Sequence, residues 1–332
     1  MKVFQLAIFL LLFACIGCDK PLYNISDPSQ NSCECDSSEN STYLGMRGAL
    51  LASRFTSLQE FKSLVQIQYD IVGDSINRVR VKHCSSGQGV TSILESGIAQ
   101  SNITYVRDSG DFFDCLGLVV GSPFAVANRK ELCRVFVLAR WNPGLFGEGD
   151  VAFFDLAKAA VNKINTKDLA YKTARDSSEK GYVNTFNHIA AQALITSCFS
   201  EEIADFIGDV HERYNMPQLI TGKFTNTQLS DIANSPVDNY VDLINNEWGQ
   251  EIGKRLRKKF SIDADTYWTP ELLSNYLNEM QSCYCWAFQI GMEPFTPEDE
   301  VVVRFSDKIN KVMKGVGVTN LSLNSRKFSK GH

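Results

Sequence analysis

The stretch SPVDNYVDLINNEWGQEIGKRLRKKF, residues 235–260, decides how the second half of this chain folds. Ser235 suits an N-cap, Pro236 suits the first helical position, and Asp238 closes an S-x-x-D capping box. Val237, Val241, Ile244 and Trp248 follow at helical spacing and make one apolar stripe. The same helix carries a polar line. Asp242, Asn245, Asn246 and Gly249 fall at i, i+3, i+4 and i+7 and so share a face. Capping explains Ser235 and Asp238, but Asp242 lies two turns inside, where no free backbone donor remains. These polar residues border the apolar stripe, and polar groups at the edge of a core need partners.

The neighbouring stretches are also helical. Asp150 can cap VAFFDLAKAAVNKI, and KDLAYKTARDSSEK stops at Gly181. NTFNHIAAQALITSCF and SEEIADFIGDVHERY follow, the second capped by Ser200 and ended before Pro217. TPELLSNYLNEMQSCY repeats the capping device with Thr269 and Pro270. Before Trp141 the pattern is mixed. LVQIQYDIV and NRVRVKH alternate like half-buried strands, CLGLVVG and CRVFVLA read as short buried strands, and VTSILESGIAQ reads as a helix. The expected class is α+β, with a small α+β domain over 43–145, an all-α domain over 146–315 and a tail over 316–332.

Residues 1–18, MKVFQLAIFLLLFACIGC, place one lysine before an apolar run that ends in small residues, which is the pattern of a secretory signal. Both LFAC and CIGC resemble a bacterial lipobox, so the expected location is secreted, or surface-held through a lipid anchor. Residues 19–42 are rich in Ser, Asn and Asp and read as a tether. Export makes disulfides the expected state of Cys33, Cys35, Cys84, Cys115, Cys133, Cys198, Cys283 and Cys285, with at least three bridges among them. CEC would bond away from itself, with CYC as a partner, because a C-x-C ring strains the S–S geometry. The net charge of −5 gives no footprint for nucleic acid. No P-loop, G-x-G-x-x-G or G-x-S-x-G stretch is present.

Candidate chemistry gathers on three consecutive predicted helices. His188 lies on the first, His211 and Glu212 on the second, and Asp242, Asn245 and Asn246 on the third. Imidazoles and carboxylates on facing helices are a common source of metal ligands. The same residues could equally form a structural polar network. FNHIAAQAL (186–194), HE (211–212) and VDLINNEWG (241–249) resemble, in order and spacing, an uncharacterised bacterial family, domain of unknown function 6973. Its pattern is F-R-H-x-x-W-N-A-L, then H-E, then M-D-x-x-N-N-x-x-G. The resemblance spans about residues 145–260. It departs at Asn187 and Ala191, which stand where the family has arginine and tryptophan, so a contact of that arginine with a substrate anion would be missing here. The resemblance implies a site and leaves the reaction open.

Two functions compete. One is an exported, hydrolase-like or toxin-like enzyme acting on an extracellular or envelope substrate. In it a divalent ion (zinc or another) would sit on His188, His211 and Asp242. Glu212 would be the base, with His188 counted in the catalytic set. Asn245, Asn246 and Asn187 would orient the ligand. The other is a non-catalytic surface interaction protein in which these groups only fix the packing. Close approach of the rings and carboxylates beside an open cleft would favour the first.

Overall fold

The computed structural model describes residues 23–24, 48–72, 75–85, 88–166, 181–216 and 237–318. Strands β1 (Tyr23–Asn24), β2 (Val65–Val72), β3 (Ser75–Ser85) and β4 (Gln88–Glu95) form one antiparallel sheet in that order. Helices follow, so the chain is α+β, with the small sheet on the N-terminal side and helices after it. β2 and β3 match the alternating stretches read as strands. A register shift at Asp70/Ile71 marks a bulge in β2. Tyr23 and Asn24, within the expected tether, pair with Ile71 and Asp70 at the sheet edge. The leader at 1–18 and the stretch 167–180 lie outside the described residues. Among the described residues no helix is long and apolar enough to cross a membrane.

Helix α1 (Leu58–Ser63) precedes β2 and is capped by the Ser57 side chain. After the sheet come α2 (Gln100–Ser109), α3 (Phe112–Gly121), α4 (Pro123–Ala127), α5 (Arg129–Leu138) and α6 (Pro143–Phe146). The expectations for this region need correction. CLGLVVG and CRVFVLA are helical, in α3 and α5, and in α3 local capping overrides the apolar run. Asp111 accepts from the Phe113 and Asp114 amides, and Asp114 reaches back to the Asp111 amide. VTSILE lies in strand β4 rather than in a helix. Val90, Ser92 and Leu94 alternate inward with β-branched neighbours, a period of two.

The second half follows its helical reading more closely. It contains α7 (Phe153–Asn162), α8 (Tyr182–Cys198), α9 (Glu201–Asn215), α10 (Val237–Lys259), α11 (Pro270–Phe288) and α12 (Glu300–Met313). Ser200 and Thr269 cap α9 and α11 as expected, accepting from the Ile203 and Leu272 amides. The expected cap of α7 is corrected. Asp155 holds the Ala152 amide at 2.7 Å, while Asp150 pairs with the buried Lys308 ammonium at 3.0 Å. Lys308 also donates to the carbonyls of Arg140 and Val151, so each of its three protons has an acceptor.

α10 is the central element and packs against α8, α9 and the sheet. Its contact with α8 is very close. A Cβ at Gly249 would stand 2.6 Å from the Ile189 carbonyl oxygen, and one at Gly253 would stand 2.5 Å from that of Ala193. The G-x-x-x-G spacing lets the two backbones meet. Trp248, roughly 100° round α10 from Gly249, is buried with Phe61 and Phe288, while Phe186 stacks on Tyr284 with ring centroids 3.9 Å apart. Sheet residues Val79, Val81 and Leu94 belong to the same apolar core as these aromatics.

The disulfide expectation is also corrected. Cys115, Cys133, Cys198, Cys283 and Cys285 carry free thiols. No bridge joins any two of these five, while Cys33, Cys35 and the Cys84 side chain lie outside the described residues, and with them the expected CEC–CYC link. Cys198 is sealed in the core on α8, where burial pushes its thiol up to about 12, and Cys283 on α11 is pushed up to about 11. Thiols in such apolar surroundings behave as small hydrophobes.

Candidate functional site

Helices α8, α9 and α10 bring the motif residues together at one place. His188 projects from the middle of α8, with its side chain 10% exposed. Its Nδ1 lies 2.9 Å from Asn246 Oδ1 and 3.7 Å from Glu212 Oε1. Its Nε2 lies 3.4 Å from Asp242 Oδ2. One imidazole therefore stands between two carboxylates carried by different helices. The His188 and His211 ring centroids are 5.9 Å apart. His188, His211 and Glu212 can each offer one ligand atom, with those atoms all within 4.8 Å of one another, and this group could hold a metal ion.

The partners of these groups define their electrostatics. Glu212 is fully buried and its carboxyl is pushed up to about 8, chiefly by loss of water. Asp242 adds to that rise, while His188 and the Asn246 and Asn215 amides oppose it. Asn246 donates to Glu212 Oε1 at 3.2 Å. Glu212 Oε2 has no hydrogen-bond partner among the described residues. The His211 ring is held down at about 4, first by burial and then by the charges of His188 and Arg140. It is thus neutral at pH 7, the form that offers a lone pair to a cation. Its Nδ1 faces Gln100 Oε1 at 3.1 Å and its Nε2 faces the Asn215 amide at 3.3 Å.

Asp242 has a different place from the one expected. It stands at the outer nitrogen of His188, and Glu212 takes the third position in the histidine group. Its Oδ1 accepts from Asn184 at 2.9 Å and from Asn245 at 3.1 Å. A carboxylate behind a ligand imidazole fixes the tautomer and orientation of that ring. Asn245 is fully buried and serves Asp242, so it faces no open space. Asn246 bridges His188 and Glu212. Asn187 is half-buried and lines a cavity of about 740 Å³ that also reaches His188, His211 and Asn246. No protein-family model, curated protein or solved structure matches this chain.

Asn184, Gln100 and Asn215 were not among the sequence candidates, and two of them carry a readable signal. Asn184 precedes His188 by four residues and Asn215 follows His211 by four, so each shares a helical face with its histidine. Gln192 continues the α8 polar line and pairs with Gln250 of α10 at 3.2 Å. Gln100 belongs to α2, far away in sequence, and no local pattern marks it. Gly208 lets the α9 backbone approach, because a Cβ there would lie 3.2 Å from the Asn246 amide nitrogen.

The donor set suits a divalent ion. Two imidazoles and a carboxylate are a known ligand combination for catalytic zinc. The buried Glu212 Oε2 without a partner is the kind of atom that a cation would satisfy.

Proposed function

We propose that this chain is an exported, metal-dependent hydrolase-like enzyme acting on an extracellular or envelope substrate. Its divalent ion would be held by His188, His211 and Glu212. The convergence of those three ligand atoms within 4.8 Å beside a large cavity carries this reading. A bound ion supplies Lewis acidity to a polarised substrate oxygen. Asp242, fixed by the Asn184 and Asn245 amides, holds the His188 ring in place. Asn246 keeps the His188 and Glu212 side chains in register. This assignment moves Glu212 from base to ligand and Asp242 from ligand to the residue that orients a ligand. Asn187 and the cavity receive the substrate.

The signal-like leader supports export, with release or lipid anchoring as its two endpoints. The resemblance to domain 6973 agrees with a site at these residues. The competing reading, a surface interaction protein with a structural polar network, draws support from one observation. The nitrogens of His188 and His211 each already face an amide or a carboxylate. Hydrolysis of a panel of acyl and phosphate esters, followed with and without chelator, separates the two. Chelator-sensitive turnover that is lost in His211→Ala supports the enzyme. Turnover that is indifferent to both, or none across the panel, favours the network.

A further inference from the structure

The cavity beside the site has a composition that the metal group does not explain. Its wall is mostly apolar, including Leu118, Leu132, Val135, Phe153, Ile195 and Phe206. Its titratable lining is one-sided. Arg107, Arg129, Lys130 and Arg140 all line it, with Arg107 already paired to Asp108 at 2.6 Å, and among the described residues no carboxylate lines the cavity. Arg107 and Arg140 both lie over the Phe136 ring, 4.2 and 4.3 Å from its centroid, and Arg140 and His211 line the same cavity. The volume, about 740 Å³, falls within the range for enclosing one small ligand, about 300–1,000 Å³.

One helix at the edge of this cavity is unusual too. Helix α3, FFDCLGLVVG, is apolar on both sides. Leu118 faces the cavity, while Phe113 and Val120 are 75% and 76% exposed, with Leu116 and Val119 also exposed. A contiguous exposed apolar face marks an interaction or membrane-contact surface. An apolar chamber, an all-cationic lining and an apolar outer helix suit one kind of molecule.

We propose that the cavity binds a single-chain anionic amphiphile, such as a fatty acid or a lysophospholipid. Its acyl chain fills the apolar chamber, and its head is held by the Arg140 and Arg107 side of the lining, next to His188 and His211. That a lysophospholipid bound here is also a substrate, with a fatty acid as its hydrolysis product, rests on the hydrolase reading above, but the binding does not.

The test is titration of the full chain, in chelator, with saturated fatty acids from about 8 to about 18 carbons, the matching alkyl alcohols, and a lysophosphatidylglycerol. Affinity for the acids should rise roughly four-fold per added methylene until the chamber is full, following the transfer of each CH2 from water. The alcohols should bind more weakly at each length. Ala191 lines the chamber, and Ala191→Trp should abolish binding while leaving uptake of zinc alone intact. Should that variant not fold, Arg140→Glu, at an exposed position, should remove the preference for acid over alcohol. Binding that ignores chain length, or equal affinity for acids and alcohols, would overturn the proposal. So would binding that emerges only once residues 319–332 are deleted, because the chain's own tail would then be the occupant. Because chelator is present, failure here leaves the metal reading standing, and failure of zinc uptake leaves this binding result standing.

Discussion

Glu212→Gln separates a functional carboxylate from a stabilising one. Glu212 is fully buried, its Oε2 has no hydrogen-bond partner among the described residues, and its carboxyl is pushed up to about 8. Without a metal, the folded chain at pH 7 must take up a proton that the unfolded chain, with its ordinary value of 4.5, has lost. At about 1.4 kcal/mol per pH unit, this costs on the order of 3 kcal/mol. The sign follows from the raised folded value. The cost is absent below about pH 4.5, grows as pH rises toward 8, and is constant above that. Glutamine keeps an acceptor for the Asn246 amide and removes the ionisation. In chelator, Glu212→Gln should therefore be the more stable protein at pH 7 by up to about 3 kcal/mol, with the difference fading toward pH 4. With excess zinc the order should reverse, since only wild type gains binding energy. Urea unfolding at several pH values, with chelator and with zinc, measures both. A variant less stable than wild type in chelator would refute the reasoning, because Glu212 would then be a net stabiliser of the network.

Three further outcomes follow. Gly249→Ala should destabilise by about 1–3 kcal/mol in chemical denaturation, although alanine is the better helix former, because its methyl would meet the Ile189 carbonyl oxygen at 2.6 Å. Asp242→Asn keeps an acceptor for Asn184 and Asn245 but weakens the hold on His188, so zinc affinity measured by calorimetry should fall about 10- to 100-fold. His83 is buried between Phe55 and Phe61, and burial holds its ring at about 4. The unfolded ring titrates at 6.5, so stability is full above that value and falls on the order of 3 kcal/mol as pH drops to 4. His83→Phe should flatten that part of the pH–stability curve.

The helices of the second half were legible because their caps and periodicity agree. Ser200 and Thr269 cap as their side-chain chemistry predicts, and α8, α9 and α11 lie where the patterns put them. Between 88 and 138 the residue type misled. Short runs of Val, Leu and Phe look alike in a buried strand and in a short helix, and the Asp111–Asp114 capping box was the better guide. The cysteines misled for another reason. An even number in an exported chain favours bridges, but pairing depends on spatial approach, and Cys198 and Cys283 sit on helices as packing residues. At the site, helical spacing and motif order brought forward the residues that do converge. Which carboxylate joins both histidines could not be read from them. That depends on how α9 and α10 rotate against α8, which the glycines at 208, 249 and 253 set through close backbone approach.

The central claim is that His188, His211 and Glu212 form a metal centre, and elemental analysis of the purified mature protein tests it most directly. Wild type, stripped with chelator, re-exposed to zinc and freed of excess, should retain about one ion per chain. His188→Ala, His211→Ala and Glu212→Gln should each retain almost none, without additive losses, because members of one site act as a unit. A wild-type chain that retains no divalent ion at neutral pH would contradict the account and leave these residues as a structural polar network.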